Sequence, residues 1–333
     1  MLGSTAGLVL TSFLAVSSPA LATPSASQLA KEIATAEDQV EQTAEQYNAA
    51  QVKLTKDQHQ AATLQAQIGP MQLESDMADQ SLSTMAAELY MAGPPHSYEI
   101  LLNSPSSDAI IEQLSLLGEM AQSQKHTIDT ANQRISSYQT AKKEQDALVA
   151  QDKALVTTLN SKKASINKQL AALKKLQNAS SGSSSKTYTK AQLMPAACPA
   201  SGGSGKGLTA AKKACSIIWQ ASKSPPWTMY LWGAPNSSNP HRYDCSGLTM
   251  TAWAAAGVTL DHYTGDQWTE SHGKAWTSSS QSQLEIGDLI FYYSDHHHVA
   301  IYVGNGYIAQ APHTGAPLDM STIGDPSGWG RPS

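Results

Sequence analysis

The sequence has few aromatic residues in its first half and few cysteines anywhere. Residues 23–180 contain no Phe or Trp, whereas all seven Trp lie between Trp219 and Trp329. Because a compact core needs large apolar side chains, this absence argues against a globular first half and places the compact domain in the C-terminal part. Basic residues are not in excess either: 22 Lys and Arg stand against 27 Asp and Glu, a net charge of −5. This balance argues against a nucleic-acid partner.

The N-terminal segment predicts export. An apolar run from Leu8 to Val16 is followed by Pro19 and the small-residue sequence Ala20-Leu21-Ala22. This pattern is typical of a signal peptide over residues 1–22. No Lys or Arg precedes the apolar run, so an uncleaved anchor and a structural helix stay open as alternatives. Export predicts a secreted protein that folds in an oxidising compartment.

The chain contains three cysteines, Cys198, Cys215 and Cys245. In an oxidising compartment an even pair tends to form a disulfide and the odd cysteine is left over. Cys198 and Cys215 flank a Gly/Ser-rich loop, so a disulfide between them would fix that loop to the helix that follows. Cys245 then stays free, and a free thiol in an exported protein needs a chemical reason.

The aromatic-poor first half has the periodicity of a coiled coil. Apolar or small residues recur in steps of four and three over Leu29–Leu89 and again over Ile110–Leu173, which is the 3.5-residue period of such a seam. We therefore predict an antiparallel helical hairpin over residues 23–178, with arms on the order of 100 Å at ~1.5 Å per residue. Its tip lies near Tyr98–Ser107, and Gly69-Pro70 predicts a kink. The hairpin is either a spacer or oligomerisation element, or a regulatory arm.

A Gly/Ser-rich linker over residues 179–207 separates the hairpin from an α+β domain over residues 208–333. This domain begins with two helices, one starting near Thr209 and one starting at Cys245. Turn residues and apolar alternation then predict three strands, Leu289–Tyr293, His297–Val303 and Tyr307–Ala311.

Cys245 stands at a position that suits a nucleophile. A thiol at a helix N-terminus is favoured as the thiolate, because the free backbone N–H groups there carry partial positive charge. A nearby imidazole would accept the thiol proton and activate the sulfur. Of the ten His in the sequence, His298 is best placed, because it lies on a predicted strand immediately before an alternation of apolar residues.

The imidazole needs a polar partner that fixes its tautomer, and the hairpin after His298 decides which residue that is. A two-residue turn at Asn305-Gly306 would put Gln310 on the face opposite His298. A three-residue loop, Gly304-Asn305-Gly306, with a left-handed Gly306 and a G1 bulge places Gln310 opposite Ala300 instead. His298 then lies diagonally beside Gln310 on the same face. We predict the bulged register, because it builds a Cys–His–Gln triad.

These residues carry a resemblance to a known family. The sequence is similar, over roughly residues 208–322, to the NlpC family of bacterial cell-wall endopeptidases. The motifs in question are Tyr230-x-Trp232-Gly233, Asp244-Cys245-Ser246-Gly247-Leu248, Gly287-Asp288-Leu289, His298-Val299-Ala300-Ile301-Tyr302-Val303-Gly304 and Gln310-Ala311-Pro312. The preceding coiled coil also resembles that of exported, actinobacterial-type peptidoglycan hydrolases.

The resemblance implies a papain-like α+β domain that hydrolyses the γ-D-glutamyl–diamino-acid bond of peptidoglycan stem peptides. By position, Cys245 matches the nucleophile, His298 the base and Gln310 the third polar residue. Many relatives have His where this chain has Gln310, yet an amide oxygen can still accept the imidazole N–H.

Further residues are assigned to oxyanion or substrate binding. The oxyanion is expected to be held by the backbone N–H of Cys245 and the Tyr230 hydroxyl. Asp244 and Ser246 flank the nucleophile. His262 stands in a substrate-facing loop where many relatives have Leu-Pro-Arg, which changes the charge of that loop.

Alternatives remain to the stem-peptide endopeptidase. The same triad would serve an amidase or an acyl transferase, and a vestigial triad would leave a non-catalytic regulator. The tract Asp295-His296-His297-His298 suggests zinc, but adjacent strand residues point to opposite faces, so we expect no metal and no cofactor.

The resemblance implies a cell-wall location and peptidoglycan stem peptides as partners. A membrane or divisome regulator is the candidate partner of the coiled coil, and deletion of residues 23–178 is expected to raise activity if the coiled coil is autoinhibitory.

Overall fold

The computed structural model describes residues 25–92, 106–180, 189–195, 197–202, 204–221, 229–234 and 242–333. The predicted signal peptide at residues 1–22, and residues 98–105 of the predicted hairpin tip, lie outside the described residues. Among the helices that the structure describes, none is both long enough and apolar enough to cross a membrane.

Two long helices form the N-terminal part. Helix α1 spans Ala26–Ala92 and helix α2 spans Ser107–Ser180, and the two helices pack against each other. Helix α1 runs through Pro70 without interruption, so the predicted kink does not divide it. The buried seam consists of small and aliphatic residues: Val40, Ala44, Ala50, Ile68, Ala78, Ala131, Ala141, Leu159, Ile166 and Leu173.

The heptad pattern overestimated the extent of this seam. Leu114, Leu117, Val149 and Val156, all predicted seam positions, are each more than a third exposed. The seam is rich in alanine, and small side chains leave a shallow interface that does not cover large neighbours.

An α+β domain with a papain-like arrangement forms the C-terminal part. Its helices are α3 (Lys190–Leu193), α4 (Lys206–Ala221), α5 (Cys245–Ala254), α6 (Thr264–Glu270) and α7 (Ser280–Gln283). Its strands are β1 (Lys274–Ala275), β2 (Leu289–Tyr292), β3 (His298–Gly304), β4 (Tyr307–Gln310), β5 (Asp319–Thr322) and β6 (Gly328–Gly330). Within the described residues these strands form one antiparallel sheet in the order β1-β6-β2-β3-β4-β5. The apolar side of α5 packs against β3 around Leu248, Trp253 and Val299.

The β3–β4 hairpin has the predicted register but a different turn. Ile301 pairs with Ala309, and continuing this antiparallel register places Gln310 opposite Ala300. Asn305 and Gly306 both have positive φ, 54° and 76°, and form a two-residue turn typical of a tight hairpin. The irregularity lies between Tyr302 and Gly304, where Gly304 adopts a φ of 100°. The bulge therefore precedes the turn instead of forming part of it.

Part of the segment assigned to the linker packs onto the domain. Leu193, Met194 and Ala200 are buried. Cys198 and Cys215 form a disulfide with a Cα–Cα distance of 5.8 Å, the pairing predicted from the sequence. Because the disulfide ties this segment to α4, the region of 189–202 described by the structure is part of the compact unit.

Candidate active site

Cys245 is the first residue of α5, and its neighbour Asp244 caps the helix. Asp244 Oδ1 accepts a hydrogen bond from the Gly247 backbone N–H at 2.8 Å, which satisfies one free donor of the first turn. Its extended backbone directs the chain into the helix so that Cys245 faces the start of β3. There the sulfur lies 3.8 Å from the carbonyl oxygen of His297. The thiol is completely buried.

His298 lies at the start of β3, with Gln310 beside it on β4. Gln310 Oε1 lies 2.9 Å from His298 Nε2. The amide nitrogen of Gln310 donates to Asp319 Oδ1 at 3.1 Å and to Ser321 Oγ at 2.9 Å, and these bonds orient the amide oxygen towards the ring. A ring nitrogen of His298 lies within 4.8 Å of Cys245 Sγ, and because Nε2 faces Gln310, Nδ1 is the nitrogen left for the thiol. The arrangement is that of a nucleophile, a base and an orienting amide.

The other residues assigned to the site surround this triad. The Tyr230 hydroxyl is buried and has no hydrogen-bond partner among the described residues. Asp244 accepts a bond from His262 Nε2 at 2.7 Å. Burial alone would lower the pKa of His262, but the Asp244 carboxylate raises it above its ordinary value. Ser246 follows the nucleophile, and its side chain is also buried.

Helix α1 covers this groove, a feature that the sequence analysis did not locate. Glu41 Oε1 lies 2.6 Å from His298 Nδ1. Both ring nitrogens of His298 therefore face oxygen acceptors, which is the environment of a doubly protonated imidazolium. Burial would lower the pKa of His298, but the Glu41 carboxylate raises it above its ordinary value. In this closed arrangement Glu41 occupies the place of the thiolate as the ion-pair partner of the base.

One turn further along α1, Glu45 lies beside the nucleophile. Its carboxylate accepts hydrogen bonds from Ser246 Oγ at 2.7 Å, from the Thr264 backbone N–H at 2.8 Å and from Asn48 Nδ2 at 2.9 Å. Glu45 Oε1 is also 3.7 Å from Cys245 Sγ. Burial, reinforced by the nearby Asp244 carboxylate, raises the pKa of Glu45 to about 7.

The docked helix changes the electrostatics of the thiol. Burial raises the pKa of Cys245 well above its ordinary value, and the charges of Glu45 and Glu41 raise it further. The closed form therefore disfavours the thiolate on which nucleophilic attack depends.

Contacts outside the triad hold α1 on the domain. Asp38 Oδ1 lies 2.9 Å from His297 Nε2. Lys56 bridges Asp261 at 2.6 Å and Asp266 at 2.9 Å. A third anchor is aromatic: the rings of Tyr47 and Trp232 pack edge to face, 5.5 Å apart.

A signal for these contacts was available in the sequence. Glu41, Glu45 and Asn48 recur at spacings of four and three, next to the acidic pair Glu37-Asp38. In an isolated coiled coil, polar residues at these positions outside the seam ordinarily face solvent. The spacing of Glu41, Glu45 and Asn48 therefore did not show whether this face of the helix is solvated or docks on another domain.

The histidine tract at the start of β3 does not converge on one point. His296 stacks on Trp268, His297 contacts Asp38 and Asp295, and His298 belongs to the triad. Within the described residues, one set of potential metal ligands is close enough for an ion: Glu41, Cys245 and His298. The 2.6 Å hydrogen bond between Glu41 and His298 is shorter than the roughly 3.3 Å that separates two ligands of a tetrahedral zinc. We assign no metal to this set.

Comparisons with known proteins find relatives of the C-terminal domain. Residues 227–329 match the profile of the NlpC/P60 family. Peptidoglycan endopeptidase RipA of Mycolicibacterium smegmatis is 33% identical over 123 residues, which are 34% of this chain and 24% of that protein. The probable endopeptidase p60 of Listeria monocytogenes is 38% identical over 104 residues, 31% of this chain and 19% of that protein.

A solved structure, the peptidoglycan hydrolase RipB of Mycobacterium tuberculosis, aligns at 24% identity and a TM-score of 0.31, covering 38% of this chain and 64% of that one. The chain spans about a quarter or less of the length of the two curated relatives. The segment that matches the family profile contains Cys245, His298 and Gln310. Residues 227–329 of this chain thus form an NlpC/P60 domain.

Proposed function

We propose that this chain is a secreted, cell-wall-associated cysteine peptidase that cleaves the γ-D-glutamyl–diamino-acid bond of peptidoglycan stem peptides. The observation that carries the proposal is the placement of Cys245 at a capped helix N-terminus, facing a histidine whose far nitrogen is fixed by Gln310. The two relatives described above are named as endopeptidases, one of them a peptidoglycan endopeptidase.

In the proposed reaction His298 Nδ1 takes the thiol proton, and the sulfur of Cys245 attacks the glutamyl carbonyl carbon. The backbone N–H of Cys245 and the Tyr230 hydroxyl hold the negative oxygen that develops. His298 then gives its proton to the departing amine as the C–N bond breaks. Water, deprotonated by His298, attacks the thioester and releases the glutamyl acid. The unpartnered, buried hydroxyl of Tyr230 supports this role, because it has no competing acceptor in the described part of the chain.

The way in which the groove binds Glu45 supports an anionic substrate. Ser246 Oγ and the Thr264 N–H donate to the two oxygens of one buried carboxylate. A D-glutamyl residue linked through its γ-carbonyl carries a free α-carboxylate, which is a chemically equivalent group. Glu45 therefore stands in for a carboxylate that the substrate would bring.

We further propose that the helical hairpin is autoinhibitory. With α1 docked, Glu41 is paired with the base, Glu45 lies against the nucleophile, and both carboxylates are buried. A substrate cannot occupy the same space. The closed form thus combines steric exclusion with suppression of the thiolate.

We also propose that a membrane or divisome regulator opens the enzyme by binding the half of the hairpin furthest from the groove. Large apolar side chains are exposed there, among them Met77, Ile111, Leu114, Leu116 and Met120. Charged substitutions at Leu114 and Leu116 are expected to reduce wall turnover in cells and leave the activity of the purified chain unchanged. Reduced activity of the purified variant would show that this region acts on the groove directly.

The experiment is a digest of purified stem peptides, analysed by mass spectrometry. It compares the wild-type chain with an opened variant, Glu41→Lys/Glu45→Lys. Docking of α1 in this variant would bury two unpaired ammonium groups, which costs roughly several kcal/mol. We expect the opened variant to cut between D-Glu and the diamino acid at least about tenfold faster, because roughly 1.4 kcal/mol of lost docking energy suffices for that factor. Cys245→Ala in the opened background is expected to abolish the cut, and a cut at another bond would reject the substrate assignment.

A further inference from the structure

Helix α2 carries apolar residues at two heptad positions, and the structure buries only one of them. Residues at the first position are buried in the seam with α1 and are spaced by multiples of seven: Ala131, Leu159, Ile166 and Leu173. Residues at the second position have the same spacing and are each more than a third exposed: Leu114, Ile128, Val149 and Val156. We call positions 114, 121, 128, 135, 142, 149 and 156 of α2 the outer stripe.

The outer stripe has the pattern of a helix-packing surface. Because the buried and the exposed sets keep the same heptad spacing, the stripe keeps a constant direction relative to α1. Single exposed apolar residues are ordinary on a protein surface, but a repeated line of them is typical of a helix that packs on two neighbours. Leu170, the next apolar residue at this spacing, packs against the same cluster around Ile166 as Trp232 of the catalytic domain. This heptad position is therefore covered near the domain and exposed along the rest of α2.

The outer stripe is complementary to itself when read in opposite directions from Ile135. Leu114 and Val156 lie at equal distances from Ile135 along the sequence, and so do Ala121 and Val149. The remaining pair is Ile128 and Lys142, and the methylene stem of a lysine covers apolar surface while its ammonium group reaches solvent. A surface that pairs with a second copy of itself across a two-fold axis needs this kind of symmetry.

The charges of the hairpin favour an antiparallel pairing. Residues 57–124 contain nine Asp and Glu and no Lys or Arg, whereas residues 153–175 contain six Lys and no Asp or Glu. In an antiparallel pair the acidic end of one α2 lies beside the basic end of the other. A parallel pair would instead bring like charges together at both ends, which is unfavourable.

We propose that the outer stripe is the interface of an antiparallel homodimer, in which α2 of a second copy packs on it with Ile135 on the two-fold axis. Leu114 then contacts the partner's Val156, and Ala121 contacts the partner's Val149. The two catalytic domains lie at opposite ends of the dimer, because each domain follows the C-terminal end of its own α2. This inference goes beyond the proposed function and does not depend on it. Leu114 also belongs to the surface proposed for a regulator, so the regulator and the second copy compete for it.

Sedimentation velocity of the full wild-type chain tests the association. We expect a monomer–dimer equilibrium with a Kd on the order of 10 μM, the range of a small interface, and a several-fold weaker association in 1 M NaCl. Val149→Glu places a charge in the stripe and is expected to raise the Kd at least roughly tenfold. Ala154→Glu is the matched control, because it adds the same charge at an exposed position of α2 outside the stripe. Circular dichroism confirms that both variants keep their helices.

Two results of this experiment would overturn the inference. One is a wild-type chain that stays monomeric up to about 200 μM, well above the expected Kd, which would leave the stripe to a partner of another sequence. The other is an equal loss of association in Val149→Glu and Ala154→Glu, which would place the contact elsewhere on the hairpin.

Cysteine cross-linking tests the direction and register of the pair. The background is Cys245→Ala, in which the two remaining cysteines form a disulfide, and the probe is a short bis-maleimide. We expect Ile135→Cys to cross-link with itself, because that residue meets its own copy at the axis. Val149→Cys alone is expected not to cross-link, whereas a mixture of Val149→Cys and Ala121→Cys is expected to give cross-linked heterodimers. Self-cross-linking of Val149→Cys as fast as that of Ile135→Cys would indicate a parallel pair and overturn the inference. Neither experiment uses a substrate, so failure of the proposed reaction would not affect the result.

Discussion

At the scale of single residues, the closed site holds more carboxylates than its cations can balance. Glu41, Glu45 and Asp244 are buried together, and His298 and His262 are the imidazoles that face them. Protonation of a carboxylate is the remaining way to reduce this excess of negative charge. Accordingly, burial and the charge of Asp244 raise the pKa of Glu45 to about 7.

This imbalance predicts that closure depends on pH. In the open form an exposed Glu45 would have a pKa near its ordinary value, whereas in the closed form its pKa is about 7. At pH values between these two, docking of α1 is therefore accompanied by binding of a proton to Glu45. Docking is therefore favoured at low pH and weakens as pH rises towards 7. The raised pKa of His298 acts in the same direction, because closure stabilises the protonated ring.

The measurement is kcat/KM of the wild-type chain divided by that of the opened variant, from pH 5 to pH 8. We expect this ratio to rise roughly tenfold or more, since a shift of one pKa unit corresponds to a factor of ten. Glu45→Gln is the matched control, because glutamine has nearly the shape of glutamate but cannot ionise. In this variant most of the rise in the kcat/KM ratio between pH 5 and pH 8 is expected to disappear. A wild-type ratio that does not change with pH would contradict the prediction.

Gln310 is the member of the triad with the least obvious chemistry, since it carries no charge. Its amide oxygen lies 2.9 Å from His298 Nε2, and the proposed role is to fix the tautomer of that ring. In the opened background Gln310→Ala is therefore expected to lower kcat by roughly 10- to 100-fold, the scale of a lost orienting partner. Gln310→His, the residue common in relatives, is expected to restore most of the rate. If Gln310→Ala leaves the rate unchanged, measured with one stem peptide at saturation, Gln310 has no part in the mechanism.

At the scale of elements, the β3–β4 hairpin brings the base and its partner together. The sequence predicted that Gln310 lies opposite Ala300, because only that register puts two polar residues on one face. It did not predict the position of the bulge, since Gly304 and Gly306 can both adopt positive φ and sequence alone does not choose between them. Strands β1, β5 and β6 were not predicted either, because segments of two to four residues have too little alternation to recognise.

The same turn predicts a stability effect. Asn305 adopts a φ of 54°, which Asn tolerates and a β-branched residue does not. Asn305→Val is expected to lower the free energy of unfolding by about 1–2 kcal/mol, measured by urea denaturation. Asn305→Gly is the control and is expected to be nearly neutral. An Asn305→Val variant as stable as the wild type would show that the turn adapts.

Helix α1 was predicted as one arm of a coiled-coil hairpin, but its docking face was not predicted. The docking contacts join residues about 200 positions apart, such as Glu45 and Ser246. Heptad periodicity describes only the contacts between the two arms. The C-terminal domain packs on another face of helix α1, and this contact does not produce a recognisable repeat in the sequence.

The rim of this interface gives a test at the level of the helix. Lys56 pairs with Asp261 and Asp266, so Lys56→Glu replaces attraction by repulsion. We expect the activity of the full chain to rise about three- to tenfold, the scale of a partly exposed charge pair, with the effect reduced at high salt. Lys53→Glu is the matched control, because Lys53 pairs within α1 with Asp57. Equal increases for both variants would indicate a general effect of charge on the hairpin.

At the scale of the whole molecule, the chain combines a weakly packed hairpin with a tightly packed domain. The buried hairpin seam consists of alanines and larger aliphatic residues in equal number and contains no aromatic residue, whereas the C-terminal core contains Trp253, Phe291 and Leu248. Composition alone predicted this division, because all seven Trp lie between Trp219 and Trp329 and residues 23–180 contain no Phe or Trp. The interaction between the two parts depends on a few polar contacts and on the aromatic pair Tyr47–Trp232, which composition does not report.

The most direct test of the account is the alkylation rate of Cys245, because the other two cysteines of the chain form a disulfide. The wild-type chain and the opened variant are treated with iodoacetamide at neutral pH, and the modified fraction is followed by mass spectrometry. Matching thermal melting curves confirm that both are folded. We predict that Cys245 reacts at least roughly tenfold more slowly in the wild-type chain, because docking buries the thiol and disfavours the thiolate. Equal rates in the two chains would contradict the claim that helix α1 holds a reactive nucleophile in check.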